Sequence, residues 1–154
     1  MEIMRINDIN KKKEISRKIL EALPEWFGIK EARENYIEES TEQIFFGAID
    51  LDEPVGFLCL KETGKDTVEL AVMGVVKEHH RQGIGRSLFK EAKKYACETG
   101  YTFLQVKTVQ MGRYKEYDRT NYFYQSLGFK EFEVFPTLWG EDSPCQIYVM
   151  ALEL

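Results

Sequence analysis

Residues 81–86 read Arg81-Gln82-Gly83-Ile84-Gly85-Arg86, at the point where an apolar run, Val72-Met73-Gly74-Val75-Val76, gives way to an amphipathic segment ending near Thr99. Two glycines at a strand-to-helix junction remove the Cβ atoms that would keep a ligand away from the backbone. The first turn of the helix adds unpaired N–H groups and the positive end of the helix dipole. Such a junction suits a phosphate or pyrophosphate. The same six residues also suit a tight turn with a solvated basic edge. The dinucleotide fingerprint needs a third glycine where Leu88 stands, and the Gly-Lys-Ser/Thr of a P-loop is absent. The junction is thus phosphate-competent without matching either common pattern.

The surrounding elements follow from periodicity. Residues 2–6 predict a strand, and residues 8–22 predict a helix with Ile9, Ile15, Ile19 and Leu20 on one face, stopped by Pro24. A second helix is predicted over residues 29–39, anchored by Tyr36 and Ile37. Between them Trp26-Phe27-Gly28 is an aromatic connection, either a packed plug or one wall of a substrate cleft. Residues 43–50 and 54–61 read as a hairpin about the turn Asp50–Glu53. After a turn at 62–66, a strand is predicted over 67–76.

A helix over residues 83–99 places Ile84, Leu88, Phe89, Ala92, Tyr95 and Ala96 on one face, with Gly100 as its stop. Residues 101–106 predict a strand, and 118–127 a short helix with Asp118 or Thr120 as N-cap, closed by Gly128. Strands are expected at 129–134 and 145–152, joined by a loop over 136–144. Hairpins mixed with strand–helix–strand units imply an α/β domain with a mixed sheet.

A chain of 154 residues favours one domain, here 1–154. The net charge of −5 argues against a general nucleic-acid binder and is compatible with a cationic substrate such as an amine. No segment has the length of a membrane span, and the first residues lack the apolar stretch of a signal peptide. Cys59, Cys97 and Cys145 are odd in number and widely spaced, which suggests reduced thiols in a cytoplasmic protein. Cys59 and Cys145 lie in apolar runs and read as core. With only the adjacent histidines 79 and 80 and no Cys-x-x-Cys, no metal site is expected.

The stretch His80-Arg81-Gln82-Gly83-Ile84-Gly85 resembles the central Gln/Arg-x-x-Gly-x-Gly/Ala motif of the GNAT family of acetyl-CoA-dependent N-acetyltransferases, with histidine in the leading position. The segment Tyr124-Gln125-Ser126-Leu127-Gly128-Phe129 is similar to that family's Tyr-x-x-Leu-Gly-Phe segment. The similarity of element order runs from about residue 3 to the C-terminus, most of it in residues 43–134. It implies the GNAT fold: a mixed central sheet with a splayed strand pair and helices on both faces.

The resemblance also implies roles. The backbone of Met73 and Val75 would pair with the pantetheine amides of acetyl-CoA. The N–H groups of Arg81, Gln82, Gly83, Ile84, Gly85 and Arg86, with Ser87, would hold its pyrophosphate. Gly74, in mid-strand, would either form a bulge that splays the strands or answer close packing against an aromatic neighbour. Many members carry an asparagine seven residues before the tyrosine of the second segment. This chain has Tyr117 there and its asparagine is Asn121, available for a cofactor contact or a helix cap.

Acetyl transfer needs a neutral amine, and deprotonating an alkylammonium of pKa about 10 at neutral pH costs roughly 4 kcal/mol. Glu69 is the candidate base, on the face of its strand that carries Ala71, Met73 and Val75, unless it is simply a glutamate on an exposed strand face. The match to the second segment makes Tyr124 the donor to the departing thiolate, unless it is simply a core aromatic beside Tyr122 and Phe123. In this fold the acceptor pocket is lined by the first helices and the loop before the last strand, which nominates Trp26, Phe27, Tyr36, Trp139, Glu141 and Asp142. The acceptor would be a small-molecule amine or a protein amine, with no nucleic acid or membrane involved, and homodimers are common in the family. A non-catalytic acyl-CoA-binding module would keep residues 81–86 and need neither Glu69 nor Tyr124.

Overall fold

The computed structural model describes residues 1–153. In chain order it has β1 (Glu2–Ile6), α1 (Ile9–Glu21), α2 (Pro24–Phe27), α3 (Lys30–Ser40), β2 (Ile44–Asp50), β3 (Glu53–Gly64) and β4 (Thr67–Val75), then a 3₁₀ turn at Lys77–His79. α4 (Ile84–Thr99), β5 (Phe103–Val109), α5 (Lys115–Leu127), β6 (Lys130–Phe135) and β7 (Cys145–Ala151) complete it. The strands form one seven-stranded sheet in the order β1-β2-β3-β4-β5-β7-β6. Two compact units are present, one made of Met1–Lys61 and Ala71–Tyr95, the other of Glu62–Leu70 and the chain from Ala96 on. β4 and α4 each contribute to both.

In the first unit β1, β2 and β3 pair antiparallel. Phe45 and Phe57 stack at 5.2 Å on neighbouring strands, and Leu58, Cys59 and Leu60 are fully buried beside them. α1 starts where the Asp8 carboxylate accepts a hydrogen bond from the Lys11 N–H at 2.8 Å. Ile15, Ile19 and Leu20 form its buried face, whereas Ile9 of the first turn is exposed. Lys12 is buried and donates to the carbonyls of Thr41 (3.2 Å) and Gln43 (2.8 Å), tying α1 to the chain after α3. Burial lowers its pKa, the nearby Cys59 opposing and Arg5 adding to the shift. The aromatic connection after α1 is the short helix α2, with Pro24 in its first turn, where a missing N–H costs nothing.

In the second unit β4 pairs parallel with β5, from Thr67 opposite Phe103 to Leu70 opposite Val106. β5 pairs antiparallel with β7, and β7 with β6. α5 begins at Lys115, three residues before the predicted start. Neither predicted cap acts as one: Tyr114 holds the cap position without a side-chain bond. Asp118 accepts from the Gly112 N–H (2.7 Å), and Thr120 donates to the Glu116 carbonyl (3.1 Å). Gly128 closes the helix at φ +106°, as its position in the sequence indicated.

The β2–β3 hairpin turns through Leu51 (φ +49°) and Asp52 (φ +67°), two left-handed residues with neither a glycine nor an asparagine. Leu51 is 91% exposed, so no packing offsets that strain. Replacing Leu51-Asp52 by Asn-Gly should raise stability by about 1 kcal/mol and the thermal midpoint by roughly 3 °C, read by calorimetric melting.

Candidate active site

The first group of site residues lies in the first unit, where β4 ends. Val76 continues the sheet for one residue, its N–H donating to the Val55 carbonyl at 2.9 Å. After the 3₁₀ turn His80 is extended, Arg81 has φ +64° and Gly83 has φ +79°. Left-handed residues inside a right-handed chain turn successive N–H groups toward one side and form an anion-binding concavity. α4 follows at once, its regular ladder beginning with the Ser87 N–H to the Gly83 carbonyl at 3.0 Å. The N–H groups of Ile84, Gly85 and Arg86 therefore belong to the first turn, where no helical carbonyl precedes them.

Gly83 is favoured here by its φ alone, since a Cβ would meet nothing within 4 Å. Arg81 adopts the left-handed conformation without being glycine, which residue type alone does not foretell. The Gln82 amide folds back onto the turn, its Nε2 donating to the Glu78 carbonyl (3.4 Å) and its Oε1 meeting His79 Nδ1 (3.1 Å). Only its backbone faces the concavity's task. These residues fit a pyrophosphate: backbone N–H groups, a helix N-terminus, and the cationic Arg81 and Arg86.

His80 does not point to the phosphate loop. Its Nε2 lies 2.6 Å from the Val75 carbonyl, which makes Nε2 the protonated nitrogen, and its ring meets the edge of Trp26. Lys77 pairs with Glu25 of α2 beside it, and that bond holds the Glu25 pKa below the usual carboxylate range. Gly74 answers a packing demand. A Cβ there would stand 2.9 Å from Leu23 Cδ1 and 3.0 Å from Ile19 Cγ2, so α1 approaches β4 as closely as a glycine allows. Its nearest neighbours are aliphatic, with the aromatic Phe57 Cε1 at 3.9 Å.

The second group lies in the second unit. Glu69 is buried on β4 opposite Gln105 of β5. Its Oε1 accepts from Gln105 Nε2 at 2.9 Å and lies 3.0 Å from Lys107 Nζ. Neither partner is a sequence candidate, although two polar residues alternating in an apolar strand were a usable signal. Tyr124 is buried in the last turn of α5, its ring 5.8 Å from Phe129 and 6.3 Å from Tyr148.

Asn121 is fully buried, and its amide is spent inside the unit. Its Nδ2 donates to the carbonyls of Val109 (2.8 Å) and Tyr117 (2.7 Å), and its Oδ1 accepts from the Tyr148 hydroxyl (2.6 Å). Both N–H bonds are used, so no donor remains for a cofactor. The Tyr148 hydroxyl also accepts from Gln125 (3.0 Å), and burial raises its pKa.

The acceptor-wall candidates divide by unit. Trp26, Phe27 and Tyr36 are half-buried in the first, with the Phe27 and Tyr36 rings 5.7 Å apart and edge-on. Trp139, Glu141 and Asp142 are exposed on loop 136–144 of the second, where the Asp142 carbonyl accepts from the Tyr114 hydroxyl.

The chain belongs to the GNAT acetyltransferase family, whose domain model matches residues 40–131, more than half of its length. The structure is similar to that of a GNAT-family protein from Desulfovibrio desulfuricans, with a TM-score of 0.84 and 19% identity over 99% of both chains. It is also similar to an aminoglycoside 6'-N-acetyltransferase from Enterococcus faecium, with a TM-score of 0.79, 22% identity and coverage of 100% of this chain and 98% of that one. An aminoglycoside 6'-N-acetyltransferase in complex with coenzyme A matches at a TM-score of 0.79 with 21% identity over 100% and 98% of the chains. No curated protein matches the sequence. Among the described residues no helix is long and apolar enough to cross a membrane.

Two outcomes follow from this geometry. Gly83→Ala forces an L-residue into the left-handed region at roughly 1–2 kcal/mol, so acetyl-CoA affinity should fall about tenfold by calorimetry, while Gly64→Ala, free of that constraint, binds normally. Asn121→Ala removes three hydrogen bonds from a fully buried site, so the chain should lose about 3 kcal/mol and melt roughly 10 °C lower.

Proposed function

We propose that the chain moves the acetyl group of acetyl-CoA onto a primary amine of a small molecule by direct attack, in the cytoplasm. The observation that carries this reading is the left-handed turn at Arg81 and Gly83 leading straight into the first turn of α4. It supplies the anion-binding half of the reaction. Arg81, Gly83 and the N–H groups of Ile84, Gly85 and Arg86, with Ser87, would hold the pyrophosphate. The backbone of Met73, Gly74 and Val75 would align the pantetheine arm, the Val75 carbonyl sharing its second lone pair with His80. Asn121 is left out of these contacts and serves instead to anchor α5.

Glu69 takes the proton as the amine nitrogen attacks the thioester carbonyl. The nitrogen–carbon bond forms, the carbon–sulfur bond breaks, and Tyr124 donates to the departing thiolate, regaining its proton from solvent. A phenol of pKa about 10 protonates a thiolate of pKa about 8.5 at a cost of roughly 2 kcal/mol, which a positioned hydrogen bond offsets. Burial pushes both the Cys59 and Cys145 thiols up, which disfavours an acyl-enzyme on either.

The small-molecule acceptor is supported by the aminoglycoside acetyltransferases, which match this chain end to end. It is supported also by charge. Seven glutamates against Lys30 and Arg33 between Glu21 and Glu42 hold as much net negative charge as the whole chain. They flank Trp26, Phe27 and Tyr36, and aromatics among carboxylates suit a cationic amine.

The reading is tested by thiol release from acetyl-CoA against a panel of aminoglycosides, polyamines, amino acids and peptides. Turnover with a polycationic small molecule is the expected result. Tyr124→Phe should then lower kcat by about 10- to 100-fold with acetyl-CoA binding unchanged. No calorimetric heat with millimolar acetyl-CoA would overturn the assignment, and an unchanged kcat would remove Tyr124 from its role.

A further inference from the structure

Glu69 sits between Val68 and Leu70 on a strand almost wholly withdrawn from solvent, at 4% exposure. A carboxylate in such a place needs partners to keep its charge. β5 provides them by register. The parallel pairing sets Gln105 opposite Glu69, and alternation returns Lys107 to the same face two residues on. Both reach the same oxygen, at 2.9 and 3.0 Å. The lysine side chain is the outer member of the pair, 31% exposed against 6% for the carboxylate. Cys145 of β7 stands opposite Val109 on this face, and burial pushes its thiol up to about 11, so it stays neutral beside the pair.

We propose that Lys107 and Gln105 are positioning residues for Glu69, fixing the direction of its carboxylate for taking the acceptor's proton. The inference rests on Glu69 being the base. In the step the amine N–H bond breaks, its electron pair stays on nitrogen, and the O–H bond forms on Glu69. The half-buried Lys107 side chain lies on the solvent side of the pair, and the proton then passes to water. A lysine there for packing alone would act on stability and not through Glu69.

The test is a double-mutant cycle on the full chain with the best acceptor from the amine panel. Lys107→Met should lower kcat about 30-fold while the KM for acetyl-CoA stays within about twofold, and Lys107→Arg should recover kcat to within about threefold of the parent. Glu69→Gln combined with Lys107→Met should be no slower than Glu69→Gln alone. The double variant buries no unpaired charge, so it keeps the comparison usable if Lys107→Met does not fold. A Lys107→Met enzyme with parental kcat, or losses that multiply in the double variant, would overturn the positioning role. A Glu69→Gln enzyme with parental kcat would instead overturn the base reading beneath it.

Discussion

The contact of Gly74 with Ile19 and Leu23 is the constraint on which the first unit depends. α1 comes so near β4 that a methyl group would fall inside van der Waals distance of both side chains. That approach fixes where β4 ends against α1. The loop that follows is built from that end. Val76 makes one more sheet bond to Val55, His80 folds back to the Val75 carbonyl, and the chain then reverses hand at Arg81 and Gly83 before α4 begins. Lys77 with Glu25, and His80 with Trp26, attach the turn to α2. A packing demand at one residue thereby bears on the start of α4 several residues away through a short stretch of backbone.

The second unit is organised by buried polar groups. Asn121 joins α5 to β5 through the Val109 carbonyl and to β7 through Tyr148. Its bonds hold the helix turn that leads to Tyr124, whose ring is confined by Phe129 and Tyr148. On the sheet, Glu69, Gln105 and Lys107 form a second such cluster. Buried polar networks stabilise little on balance, because desolvation opposes the bonds formed. Their effect is to permit one arrangement of strand and helix.

Much of this was legible in the chain. The elements at 2–6, 43–61, 67–76 and 83–99 follow from apolar periodicity and turn residues, and their ends fall within a few residues of those observed. The start of α5 was missed because Asp118 and Thr120 are good caps in general, yet both side chains find other partners, the Gly112 N–H and the Glu116 carbonyl. The stretch 81–86 and the segment 124–129 were legible because each is a local motif, read within one turn of helix or loop. Asn121 could be named but not placed, since its partners lie on β5 and β7.

By itself the sequence determined the strand-to-helix junction at Gly83, the face of β4 that carries Glu69, and the family pattern that joins Tyr124 to Phe129. These depend on spacing along the backbone, with a period of two or of 3.6 residues, and need no distant partner. Only the tertiary structure decided that Glu69 meets residues of β5, that Asn121 is consumed by internal bonds, and that His80 serves the Val75 carbonyl. Gln105 is 36 residues from Glu69 along the chain. Which polar groups meet across such a separation is set by strand register and helix packing, and those arise from burying the whole core at once.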